Sequence, residues 1–311
     1  MSPPSAPSGA RTASTNLLPI LALTLNAAVW GTSWWPFRHL QSHGLHPLFA
    51  TAAIYVGCTL VILLLRPRAA LQLVRTPALW LVLLASGLTN AAFNWAVVIG
   101  DVVRVVLLFY LMPLWAVLLA RLLLGERLTP MAGLRVALGL AGAAVVLWPA
   151  SSANGALGWP VPRSLADWLG VLGGFSFAFN NVMLRREAAR PQEGRALAMF
   201  TGGAVVAGVV ATTLATKGLA AWPALSLADP WTAVVALVLG VSFLVGNLSL
   251  QYGAARLPAN LTAVVMLAEV LFAAATSAAF GGGAITASLV VGGTLIVGGA
   301  LLAALAGGAE A

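Results

Sequence analysis

The chain of 311 residues is 60% hydrophobic and only 8% charged, against about 25% charged in ordinary soluble proteins, which excludes a water-soluble globular fold. Its formal charge of +8 is carried at segment ends rather than on one soluble basic face, which excludes a nucleic-acid-binding domain. The apolar runs are continuous rather than alternating, so the expected fold class is all-α and integral to a membrane, not a β-barrel.

Taken in chain order at about 20 residues per span, the sequence divides into ten apolar segments: 17–36, 46–65, 77–98, 101–123, 130–148, 165–184, 196–216, 229–252, 257–279 and 284–306. Residues 1–16, rich in Ser, Pro and Ala, read as a disordered cytoplasmic tail. A signal peptide is disfavoured because the apolar run from Leu17 continues through Trp30, Trp34 and Trp35 to spanning length. Residues 17–148 then form a first five-helix unit, 149–164 an external linker, 165–306 a second five-helix unit and 307–311 a cytoplasmic tail. The pairs Thr76-Pro77, Thr129-Pro130, Asp229-Pro230 and Leu257-Pro258 place proline at or beside a first helical turn, where its missing N–H costs nothing. Trp80, Trp148, Trp159, Trp168, Trp222 and Trp231 fall near segment ends, where amphipathic rings favour the headgroup region. Cys58 has no partner in the chain and reads as a small packing residue.

If the segments alternate across the bilayer, twelve basic residues fall on the side of the N-terminus. Only Arg38, Arg104, Arg163 and Lys217 fall on the other. Positive residues stay cytoplasmic, so both termini are expected there, with an even number of spans. The two five-segment units also resemble each other. Trp30-Gly31-x6-Arg38 aligns with Phe177-Ala178-x6-Arg185, Asn94-x5-Gly100 with Asn247-x5-Gly253, and Leu128-Thr129 with Ile285-Thr286. An odd number of spans per unit makes the second copy enter the membrane from the opposite side. Such inverted repeats suit alternating access to a central site.

Polar residues inside spans are costly and normally face a bundle interior or a water-filled path. In the third span Ser86, Asn90 and Asn94 recur at helical spacing, and in the eighth Phe243, Asn247 and Gln251 do the same. In the first span Asn26, Trp30, Ser33, Trp34 and Phe37 share a stripe; in the sixth Phe177, Asn180, Asn181 and Leu184 do. The expected cavity lining is therefore Trp30, Ser33, Trp34, Ser86, Asn90, Asn94, Phe177, Asn180, Asn181, Phe243, Asn247 and Gln251. Aromatic walls with a few amides suit a small amphipathic metabolite, whereas a sugar phosphate or nucleotide calls for Arg or Lys at depth. Glu269, about twelve residues into the ninth segment, is expected roughly 18 Å deep at 1.5 Å per residue. It is the candidate for proton coupling. Pro113, in mid-segment with Trp115 two residues on, is the expected kink and hinge. Glycine pairs such as Gly139-x2-Gly142, Gly202-Gly203 and Gly292-Gly293 suit close helix packing.

His39, His43 and His46 have metal-like spacing, but Gly44 and Pro47 break the helix such a site needs, so a solvated loop is expected and no metal. Asp101 and Arg104, three apart, are expected to form an interfacial ion pair. No G-x4-G-K-[ST] loop is present, so ATP is not a direct energy source and no cofactor is implied. The eight acids form no paired catalytic cluster, which argues against an enzyme.

The box Gly125-Glu126-Arg127-Leu128-Thr129, the Trp30-Gly31 pair, Pro113 and the duplicated five-span plan resemble the drug/metabolite transporter superfamily of EamA type. The tryptophan-rich first span is most similar to aromatic amino acid exporters of the YddG type. The resemblance implies a secondary transporter in a bacterial cytoplasmic membrane, partnered by lipid and a small-molecule substrate, exporting aromatic and other apolar amino acids. The alternative cargo on the same fold is a nucleotide sugar, lipid or drug. Two departures stand out: Leu267-Ala268-Glu269-Val270 replaces the family's frequent Glu-Pro, and Gly281-Gly282-Gly283 stands where a second Gly-Glu falls. The ninth span is accordingly expected to be less kinked than the fourth.

Overall fold

The computed structural model describes residues 9–125, 130–147, 161–187, 189–223, 230–254, 256, 265–266 and 268–306, and among them every regular element is a helix. α1 (Gly9–Thr32) and α2 (Trp34–Ser42) run as one span interrupted at Ser33, whose hydroxyl donates to the Trp30 carbonyl at 2.9 Å. α3 (Pro47–Leu65) starts on His46, whose ring Nδ1 accepts from the Leu48 amide at 3.3 Å. α4 (Arg68–Arg75) is a short amphipathic helix that the division into spans leaves as a loop. It buries Ala69 and Leu73 and turns Leu71 and Val74 outward. α5 (Pro77–Ile99) follows, with Pro77 in its first turn.

The fourth expected span is not one kinked helix but two. α6 (Val102–Phe109) and α7 (Met112–Leu124) are separated at Tyr110 and Leu111, with Pro113 in the first turn of α7. A proline N–H is absent and its ring crowds the preceding turn, so the ladder is interrupted on its N-terminal side. There the bonds tighten: Leu111 donates to the Leu108 carbonyl and Leu114 to the Leu111 carbonyl. α7 ends at Gly125, whose φ of 71° places it in the left-handed region that glycine adopts without strain.

The rest comprises α8 (Pro130–Leu147), α9 (Leu165–Arg186), α10 (Gln192–Thr216), α11 (Pro230–Ala254), α12 (Ala268–Phe280) and α13 (Ala287–Ala306). The described helices fall on all ten expected apolar segments. Among the described residues six stretches are long and apolar enough to cross a membrane: Leu17–Ser42, Pro47–Leu65, Pro77–Ile99, Val102–Leu123, Gln192–Thr216 and Pro230–Leu250. Val136–Val146, Ala268–Phe280 and Ala287–Gly299 are shorter apolar helices. α9 spans 22 residues but carries Asp167, two asparagines and two arginines, which dilute its apolar character.

In lipid, apolar burial does not favour helix association, so packing of small residues and interhelical hydrogen bonds must. Both are present. α8 and α13 meet at Gly142 and Gly292, where a Cβ on either would lie 2.6 Å from the other's carbonyl oxygen. α1 meets α12 at Gly31, where a Cβ would lie 2.6 Å from the Glu269 carbonyl oxygen. Trp34 Nε1 donates to Thr276 Oγ1 at 3.0 Å, joining α2 to α12. Asn94 Nδ2 donates to Thr51 Oγ1 at 3.1 Å, joining α5 to α3. Trp80, Trp168, Trp222 and Trp231 are exposed; Trp148 and Trp159 lie outside the described residues, as do Glu126 to Thr129.

Candidate functional site

A cavity opens at the meeting point of α1, α5, α9, α10, α11 and α12, beside the break between α6 and α7. Its volume is about 50 Å³, room for a few waters at about 10–15 Å³ each. Anything larger than a few waters therefore enters only when the surrounding helices move apart.

Of the residues expected from sequence to line it, Trp30, Ser86, Asn90, Phe177, Asn180 and Asn247 do, together with Glu269. Trp30 stands edge-on to Phe93 at 5.6 Å and to Phe243 at 4.9 Å between ring centres. Phe109 bridges from Phe93 at 4.9 Å to Phe177 at 5.4 Å. The wall is thus a run of rings in mutual contact. Its amides are held by neighbours: Asn90 Nδ2 donates to the Ser86 carbonyl at 2.7 Å while its oxygen accepts from the Tyr55 hydroxyl. Ser86 Oγ donates to the Met199 carbonyl at 3.1 Å, and Asn247 Nδ2 to the Phe243 carbonyl at 2.8 Å.

Five expected residues are placed elsewhere. Ser33, Trp34, Asn94 and Phe243 are buried behind the wall; Ser33 and Trp34 bond to Trp30 and Thr276, Asn94 to Thr51, and Phe243 backs Trp30. Asn181 is exposed on the outer surface of α9. A stripe two residues wide straddles the helix, so adjacent asparagines turn about 100° apart and only Asn180 reaches the centre. The Gln251 side chain lies outside the described residues.

The expected ion pair is corrected as well. The Arg104 guanidinium binds Asp167 of α9 through two bonds, at 2.7 and 3.0 Å, and donates to the Val146 carbonyl at 2.5 Å. Asp101 instead caps α6, accepting from the Arg104 amide at 2.9 Å. Three-residue spacing at a helix start favours this capping over side-chain pairing.

Glu269 stands in the first turn of α12 and is 4% exposed. Its expected depth assumed a helix running from residue 257, whereas residues 257–264 lie outside the described set. The Tyr110 hydroxyl reaches both the Met266 carbonyl, at 2.8 Å, and Glu269 Oε2, at 3.1 Å. Tyr110 was not expected at the site. The signal was a lone phenol three residues before Pro113 in an apolar run, where a helix break frees a side chain to turn inward. Asn26, Thr89, Phe109, Met112, Met199, Leu250 and Met266 complete the lining. Among the described lining residues there is no Arg or Lys, and Glu269 is the one acid. The Asn26 and Asn180 amide oxygens have no hydrogen-bond donor among the described residues. Among the described residues no group of three His, Cys, Asp or Glu is placed to hold a metal; His39 stacks on Trp35 and lies 4.3 Å from the His43 ring.

One end of the bundle is closed above this cavity. Arg38 of α2 donates to the carbonyls of Val98 at 3.1 Å, Gly100 at 2.5 Å and Gly282 at 3.3 Å. The Val102 amide donates to the same Gly282 carbonyl. Gly283, at φ 156°, lies so close to the Asp101 carboxylate that a side chain has no room there.

The family model for EamA-like transporters matches residues 17–148. No curated protein matches the chain. Among solved structures 14 chains match; one, a crystal structure described only as that of a protein, is 21% identical with a TM-score of 0.56, covering 94% of this chain and 97% of its own. At that identity the likeness concerns the fold alone.

Proposed function

We propose that the protein is a membrane transporter of small amphipathic metabolites, with aromatic and other apolar amino acids as the leading cargo. Support comes from the family match over residues 17–148 and, above all, from the composition of the cavity wall. Rings in contact accept a flat apolar body. Two amide oxygens without donors and one carboxylate accept the hydrogens of an amine. The absence of Arg and Lys from the described lining leaves a phosphorylated cargo without its usual partners.

Movement proceeds by alternating access between two inverted halves in a bacterial cytoplasmic membrane, outward, with Glu269 carrying the coupled proton and Pro113 at the hinge. The Tyr110 contact supports this role for Glu269. One phenolic proton serves two oxygens, and a proton on the carboxyl gives the second contact a donor of its own.

The test is uptake of labelled Trp, Phe and Thr, with a sugar as control, into liposomes holding the purified protein, with and without a proton gradient. Accelerated passage of the amino acids, steeper with the gradient, is expected. Equal passage in protein-free liposomes overturns the reading.

A further inference from the structure

Four glycines hold the same place in four helices. Gly57 in α3, Gly87 in α5, Gly202 in α10 and Gly240 in α11 are each the eleventh residue of their helix. They form two pairs with opposite packing. Between α5 and α10, a Cβ on Gly87 would collide with the Gly202 carbonyl and Val206, and one on Gly202 with the Leu83 carbonyl. The backbones of those two helices are in contact. Between α3 and α11 lies a gap of about 370 Å³, lined by Gly57 and Gly240 with Ile54, Cys58, Val61, Ala236 and Leu244. A Cβ on Gly57 would meet nothing within 4 Å, and one on Gly240 only Ile54 Cγ1 at 4.0 Å.

The two pairs correspond through the internal repeat. Gly240 follows Gly87 by 153 residues, the same separation that relates Asn94 to Asn247. Gly202 follows Gly57 by 145, the separation between the first residues of α3 and α10. The closed interface α5–α10 and the open interface α3–α11 are thus one helix pair seen in two arrangements. Glycine inside a helix weakens it relative to alanine. At Gly87 and Gly202 close approach requires it; at Gly57 and Gly240 nothing in this arrangement does.

We propose that α3 and α11 close on each other at Gly57 and Gly240 in a second state of the protein, while α5 and α10 separate at Gly87 and Gly202. This exchange moves the opening of the cavity from one membrane face to the other; it rests on the transport reading above. The occupant of the apolar gap between α3 and α11 is accordingly the facing helix. Closure exchanges the arrangements of two repeat-related helix pairs.

The test uses the full chain in liposomes. Val61 and Gly240 mirror Val206 and Gly87, which touch in the closed pair. In a Cys58→Ala background, which removes the chain's single thiol, Val61→Cys with Gly240→Cys should form a disulfide under mild oxidation and halt transport until reduced. Gly240→Leu fills the gap without disturbing the present state. It should melt in detergent as wild type does and slow transport about tenfold or more, since one of two required states is disfavoured. No disulfide on prolonged oxidation, undiminished transport by the cross-linked protein, or full transport by Gly240→Leu each overturns the proposal. If wild type moves no amino acid at all, the transport reading falls, while the disulfide still decides whether the two helices meet.

Discussion

Tyr110 hydrogen-bonds Glu269, the one acidic residue among the described residues lining a cavity of rings, amides, hydroxyls, thioethers and Leu250. Glu269→Gln keeps the shape and one acceptor but cannot exchange a proton. It should retain amino acid exchange and lose the stimulation of uptake by a proton gradient; an unchanged gradient response ends the coupling role. His46 carries a second prediction, outside the spans. Burial lowers its pKa from the usual 6.5, and its Nδ1 accepts the Leu48 amide only when unprotonated. The unfolded chain therefore takes up the proton first as pH falls. The stability this residue contributes is complete above the unfolded value and declines as pH drops through the lowered folded one. Thermal melts between about pH 8 and 5 should show that decline, and His46→Asn, which keeps a capping oxygen, should flatten it.

At the scale of elements, helix contacts depend on absent side chains and on a few polar ties. Trp30-Gly31 reads in sequence as part of a family resemblance; in space Trp30 lines the cavity and Gly31 lets α1 touch the α12 backbone beside Glu269. Gly31→Ala places a methyl group against carbonyl oxygen and should cost about 1–3 kcal/mol, read as a lower melting temperature in detergent. Arg104 and Asp167 tie α6 to α9, with the Asp167 side chain 4% exposed and that of Arg104 27% exposed. Asp167→Asn leaves the guanidinium facing a neutral amide and should cost about 3 kcal/mol, at the lower end of the buried-pair range because Arg104 retains some solvent. A melting temperature equal to wild type refutes either assignment.

For the molecule as a whole, Arg38 fastens α2 to the end of α5 and to the turn after α12, closing one end of the bundle. Arg38→Ala should loosen that end. In a Cys58→Ala background, a cysteine at Gly282 should then react about 5- to 150-fold faster with a water-soluble maleimide, the range that losing a coupling of about 1–3 kcal/mol would produce; equal rates would deny the closure. The cavity below is too small for its proposed cargo, so transport requires a wider arrangement than this one.

Much of this was readable before any coordinates. Composition called for a membrane and the continuous apolar runs for helices rather than a barrel, the two ways a spanning chain satisfies its backbone groups, and period-3.6 spacing put Ser86, Asn90, Asn180 and Asn247 on inward faces. Proline marked the starts of α5, α8 and α11, while Leu257-Pro258 lies outside the described residues. Spacing could not separate Asn180 from Asn181, nor say that Trp34 and Asn94 spend their hydrogen bonds on neighbouring helices, since both choices depend on which helix lies opposite. Nor could it bring Tyr110 to Glu269 or Arg104 to Asp167, pairs separated by 159 and 63 residues. Local periodicity determines which face of a helix is polar. Only the tertiary structure decides what that face meets, because the partner is set by the packing of whole helices and not by any segment of the chain alone.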